Sequence, residues 1–78
     1  MPSTREINEY YTVTVSADGR RRGVYFATAD IYRRDNGEPF GRSFHGEGES
    51  FDRAEADALK KARGACPHVK PDGWRPAG

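Results

Sequence analysis

Three consecutive arginines between two glycines, in the segment GRRRG at 19–23, form the densest cluster of one charge in the chain. Guanidinium groups bind phosphates and carboxylates, so Arg20, Arg21 and Arg22 are candidates for contact with nucleic acid or an acidic partner. The alternative is a solvated hairpin tip whose charges protect a sheet edge. The formal net charge of only +1 favours the hairpin tip, because nucleic-acid binders usually carry a strong basic field.

Side chains with rings are the second set of candidate binding residues. Such rings could stack on single-stranded bases, or they could form a contact surface for another protein or for a second copy of the chain. Contact with protein is the better interpretation of rings on a polar sheet face. The candidates for partner binding are Tyr10, Phe26, Tyr32 and His45.

Metal binding and catalysis find little support in the residue types. Cys66, His45 and His68 are the only soft ligands in the chain, whereas a structural zinc site needs four. A Cys–His nucleophilic pair would lack an orienting partner. A domain of 78 residues also leaves little room for a closed pocket of roughly 300 Å³. We therefore predict no metal, no cofactor and no catalytic residue, and a protein that is not an enzyme.

Strands must position the rings and the arginines. Residues 10–17 and 24–34 alternate apolar and polar side chains with the period of two that half-buried strands show. Asp18 and Gly19 predict the start of a turn between them, which Gly23 closes. Residues 40–46 predict a third, shorter strand, which the glycines and glutamates of 46–49 should end.

A helix follows the strands. It should begin near Ser50 or Asp52, carry a face of alanines at helical spacing, and end before Pro67. We predict an α+β fold: a three-stranded antiparallel meander with this C-terminal helix packed on one face (β-β-β-α). Residues 9–66 form the single domain. Residues 1–8 are expected to be a flexible tail and 67–78 an irregular tail rich in proline and glycine.

The cellular setting follows from what the sequence lacks. One cysteine, Cys66, excludes an internal disulfide, and no apolar run suits a signal peptide or a membrane span. We expect a cytoplasmic protein without a membrane partner.

Residues 46–62, GEGESFDRAEADALKKA, resemble the closing segment of the double-stranded RNA-binding domain, whose pattern is close to G-x-G-x-S-K-K-x-A-K-x-x-A-A-x-x-A. The resemblance implies a helix packed on a three-stranded sheet and contact with double-stranded RNA. The positions that match the pattern of the double-stranded RNA-binding domain are Gly46, Gly48, Ser50, Ala54, Ala58 and Ala62. In its organisation the chain also resembles short β-β-β-α proteins of bacteria and phages.

The departures from that family concern its RNA chemistry. Its phosphate-contacting lysines correspond here to Phe51, Asp52 and Glu55, and two carboxylates at a helix N-terminus repel phosphate. The family's first helix also has no counterpart before the first predicted strand.

Three hypotheses remain. The first is a protein-interaction module that self-associates, as a homodimer, through the sheet face opposite the helix. The second is a nucleic-acid binder that uses Arg20, Arg21 and Arg22. The third is an accessory or inhibitor protein of a phage or mobile element.

Overall fold

A computed structural model describes residues 3–75 as an antiparallel sheet of four strands with one helix packed across one side. The α+β class and the C-terminal helix are confirmed, whereas the predicted count of three strands is wrong. Each strand pairs with the next in the chain. Within residues 3–75 no helix is long and apolar enough to cross a membrane. The elements are β1 (Ser3–Glu6), β2 (Tyr11–Arg21), β3 (Val24–Arg33), β4 (Phe44–Gly48) and α1 (Phe51–Ala65).

The strand missed by sequence analysis is β1, which lies in the segment predicted to be a flexible tail. It pairs with β2 in a register that sets Ser3 opposite Val15 and Glu6 opposite Thr12. The helix packs against β2, β3 and β4. Because β1 therefore lies beyond the covered part of the sheet, it needs no alternating apolar residues, and its sequence shows none.

The predicted third strand corresponds to β4, which begins four residues later than expected and includes two glycines. A Cβ atom built on Gly46 would lie 2.8 Å from Cα of Ala58, and one on Gly48 would lie 2.7 Å from Cβ of Arg53. The glycines thus lie directly beneath the helix. Sequence analysis treated them as strand breakers, whereas they allow the close approach of helix and strand.

The core lies between α1 and the sheet and is built largely of small residues. Ala54, Ala58 and Ala62 are fully buried on the helix, and Tyr11 and Val13 are the largest fully buried side chains. The helix begins as expected, with the Ser50 hydroxyl accepting a hydrogen bond of 3.2 Å from the N–H of Arg53. The complete set of buried apolar residues is Tyr11, Val13, Val15, Ala27, Ala29, Ile31, Ala54, Ala58, Ala62 and Cys66.

The turn between β2 and β3 lies at the end of the predicted connection of residues 18–23. β2 continues through Asp18 and Gly19 with a β-bulge between Ala17 and Gly19. The turn itself is Arg22–Gly23, with φ of 52° and 79°, and such positive values at both central residues are typical of a type I′ turn. Two of the three arginines therefore belong to the strand.

Candidate functional site

The side of the sheet opposite α1, hereafter the open face, carries three of the four predicted partner-binding residues. Residues that pair across antiparallel strands share a face, and Thr28 pairs with both Ser16 and His45. Phe26 and Tyr32 follow on the same face by the strand's period of two. The side chains of the open face are Thr4, Glu6, Thr12, Thr14, Ser16, Asp18, Arg21, Val24, Phe26, Thr28, Asp30, Tyr32, His45 and Glu47.

The four predicted rings do not form one platform. Phe26 and Tyr32 are six residues apart on β3, or about 20 Å at the rise of an extended strand. Tyr10 precedes β2 and contacts Trp74 edge to face, with 5.1 Å between ring centroids. The side chain of Asn8 turns the chain there by accepting hydrogen bonds from the N–H groups of Tyr10 and Tyr11. Only Phe26 and His45 are brought together.

Phe26 and His45 line a pocket of about 420 Å³ beside the β-bulge of β2. Gly19 pairs with Phe26 and has no side chain, so the space next to the ring stays unfilled. We call this cavity the bulge pocket. Its lining residues are Asp18, Gly19, Arg20, Arg21, Phe26, Ala27 and His45.

A chain of hydrogen bonds fixes the polar wall of the bulge pocket. The Thr28 hydroxyl donates to the Asp18 carboxylate, and the same oxygen lies 3.3 Å from Nδ1 of His45. Because the hydroxyl has a single proton, a hydrogen bond to His45 requires Nδ1 to be its donor. In that tautomer Nε2 is an acceptor, next to a carboxylate that Thr28 holds in place.

The three arginines of the hairpin diverge. The guanidinium of Arg20 lies 5.5 Å from the centroid of Tyr25, whose ring packs against Phe51 at the start of α1. Arg21 pairs with Val24 and belongs to the open face, while Arg22 lies in the turn. The cluster predicted from GRRRG therefore contributes one cation to the open face.

Carboxylates outnumber that cation on the open face. Asp18 and Asp30 each accept a hydrogen bond from a hydroxyl, of Thr28 and Ser43 respectively. In the described part of the chain, none of Asp18, Asp30 and Glu47 lies within ion-pair distance of a cation. The face therefore carries more acidic than basic side chains, although the pocket beside Phe26 is lined by Arg20 and Arg21 as well as by Asp18.

Residues considered for metal binding or nucleophilic catalysis are scattered. Residues 3–75 contain no group of three or more His, Cys, Asp or Glu side chains that could hold a metal ion. Cys66 is buried at the end of α1, and desolvation raises the pKa of its thiol above the ordinary value, which disfavours the reactive thiolate. His68 is exposed on the C-terminal tail.

The positions that resemble the double-stranded RNA-binding domain lie away from the open face. Gly46, Ala54 and Ala58 form the contact between helix and strand, so packing requires small residues there whatever the protein binds. Comparison of the chain with protein-family models, curated proteins and solved structures finds no match.

Proposed function

We propose that the protein is a small, non-enzymatic interaction module that binds a basic polypeptide segment on its open face. The observation that carries the proposal is the set of carboxylates at Asp18, Asp30 and Glu47, which have no ion-pair partner in the described residues. Asp18 and Glu47 lie beside Phe26, and Asp30 lies farther along the same face of β3. An aromatic ring with acidic neighbours suits lysine and arginine side chains, which combine an apolar stem with a cationic end.

Two other partners fit this surface less well. A symmetric dimer formed face to face would bring the carboxylates of both copies together, and such like-charge contacts are unfavourable. Nucleic acid is favoured by Arg21 next to Phe26, but the same pocket contains Asp18, and Glu47 pairs with Phe26. Phosphates would be repelled by these carboxylates.

The test is a titration of ¹⁵N-labelled protein, followed by NMR, with an eight-residue arginine peptide at low salt. We expect amide shifts on β2, β3 and β4, and an affinity that falls about three- to tenfold in D30N/E47Q, because exposed ion pairs each contribute roughly 0.2–1 kcal/mol. The matched control is D52N/E55Q, which removes the same charge from α1 and should leave the affinity unchanged.

Three results would overturn the proposal. Shifts centred on α1, or equal weakening in the two variants, would mean that the peptide binds acidic residues without selectivity. Tighter binding of an eight-nucleotide single strand than of the peptide would favour the nucleic-acid hypothesis. A concentration-dependent dimer in sedimentation, dissociated by Phe26→Ser, would favour self-association through the open face.

A further inference from the structure

We propose that the bulge pocket is an arginine-selective subsite, where one guanidinium of the bound segment inserts beside Phe26. This inference rests on the proposed function and names the side chain that the site recognises. The pocket of about 420 Å³ is large enough for a single long side chain, and Asp18 is the carboxylate among its lining residues.

The hydrogen-bond acceptors of the pocket match a guanidinium group. Thr28 donates to Oδ2 of Asp18, which leaves Oδ1 as an acceptor, and the tautomer of His45 that carries its proton on Nδ1 has a second acceptor in Nε2. A guanidinium carries five N–H donors in a planar fork and can address two acceptors at once, whereas an ammonium is a point charge. Two separate acceptors therefore favour arginine over lysine.

The apolar wall of the pocket favours the same ligand. Gly19 leaves the flank of the Phe26 ring free, and a Cβ atom built at Gly19 would meet nothing within 4 Å. A planar guanidinium can stack on this ring while its edge faces Asp18.

The effect of Arg21→Gln on binding distinguishes a cationic from an anionic ligand. Arg20 and Arg21 both line the pocket. The guanidinium of Arg20 already lies 5.5 Å from the centroid of Tyr25, so the substitution is made at Arg21. If the ligand is a guanidinium, Arg21→Gln removes a repulsion and tightens binding about two- to threefold. If the ligand is a phosphate or another anion, the same substitution removes the attraction and weakens binding.

The experiment compares two peptides on the full chain: eight lysines, and the same peptide with one central arginine. Both carry the same charge, so their affinity ratio reports the pocket alone. We expect the arginine peptide to bind about five- to tenfold tighter to the wild type. Asp18→Asn and Phe26→Leu should each reduce the ratio to about one. Asp30→Asn, the matched control on the same face, should weaken both peptides equally and keep the ratio.

The outcomes separate this inference from the proposed function. If both peptides bind the open face of the wild type with equal affinity, the arginine subsite is wrong and the basic-segment function stands. If neither peptide binds there, both are wrong. If inorganic phosphate shifts the amides of Gly19 and Arg21 and Arg21→Gln abolishes the shifts, the pocket binds anions. The helical far-ultraviolet spectrum verifies that each variant is folded.

Discussion

At the scale of single residues, the closest contact between helix and sheet depends on Gly46. Replacing it with alanine places a Cβ atom against the backbone of α1, 2.8 Å from Cα of Ala58 and closer still to the Ala58 nitrogen and the Ala54 oxygen. Backbone atoms cannot move aside as the end of a side chain can. We expect Gly46→Ala to lower the free energy of unfolding by about 1–3 kcal/mol or more, measured by urea denaturation.

Gly64→Ala is a control that should change the free energy of unfolding in the opposite direction. It lies in α1, is exposed, and a Cβ atom built there meets nothing within 4 Å. Gly64→Ala should raise the free energy of unfolding by up to about 0.5–1 kcal/mol, because alanine loses less conformational freedom in a helix. Equal effects of the two substitutions would contradict the close approach at Gly46.

The same scale shows why the bulge pocket could not be predicted from the sequence. Asp18 followed by Gly19 is a strong turn signal, and the sequence predicts that the connection between the strands begins there. In the structure the two residues form a bulge within β2, and the positive φ values needed for the turn occur at Arg22 and Gly23. The exposed Asp18 carboxylate accepts a hydrogen bond from Thr28 across the strands, and this depends on a strand pairing that local residue preferences do not encode.

At the scale of elements, the outer edge of β4 is closed by side chains of the helix. Nζ of Lys61 donates to the carbonyl oxygen of His45 at 2.8 Å, and the N–H of Glu47 donates to the Asp57 carboxylate at 3.1 Å. Asp57 and Lys61 also form an ion pair of 3.2 Å. The Glu47 N–H, together with Lys61, holds the pKa of the Asp57 carboxyl below its ordinary value. The pair occupies backbone groups that another strand would otherwise use.

We expect the double variant D57A/K61A to expose β4 and to associate through it. Sedimentation at increasing protein concentration should show dimers or larger species that the wild type lacks, because an unpaired edge is a template for strand addition. The variant E49A/R53A removes a neighbouring ion pair, with 3.8 Å between Arg53 Nη1 and Glu49 Oε2. The carboxylate and guanidinium of this pair make no hydrogen bond to the backbone of β4 within the described residues, so the variant should remain like the wild type. Association of both variants alike would mean that lost charge, not the opened edge, is responsible.

Strands could be predicted from the sequence where one of their faces is buried by the helix, but not where neither face is. Tyr11, Val13 and Val15 alternate with polar residues because α1 covers one side of β2, and this pattern located the strand. β1 lies outside the helix contact and shows no such pattern, so its pairing was missed. The alternation of buried and exposed residues also assigned three rings to the correct face: Phe26, Tyr32 and His45. Tyr10 lies before β2, after the turn at Asn8, and does not share that face.

At the scale of the whole molecule, the chain is about 44 Å long, and its C-terminal tail fastens the end formed by the start of β2 and the end of β3. Asn8 donates to the carbonyl of Pro67 at 3.0 Å, and Trp74 packs on Tyr10. The N–H of Arg75 donates to the Asp35 carboxylate at 3.2 Å. Asp35 also forms a two-pronged ion pair with Arg33. One carboxylate thus joins β3 to the tail.

The tail contact should depend on pH through Asp35. Arg33, with help from the N–H of Arg75, holds the pKa of the Asp35 carboxyl below its ordinary value. A carboxyl shifted in this direction stabilises the folded contact above its unfolded pKa of about 3.9, and the stabilisation is lost as the pH falls through the lower folded value. Trp74 is the only tryptophan, so its fluorescence reports on the tail. We expect the emission to shift to longer wavelength below about pH 4.

Asp35→Asn should show that shift already at pH 7, because its neutral amide cannot hold Arg33 and Arg75 as strongly. Glu38→Gln changes an exposed carboxyl in the same loop and should keep the wild-type spectrum; an unshifted Asp35→Asn spectrum at pH 7 would show that Trp74 stays on Tyr10 without the carboxylate.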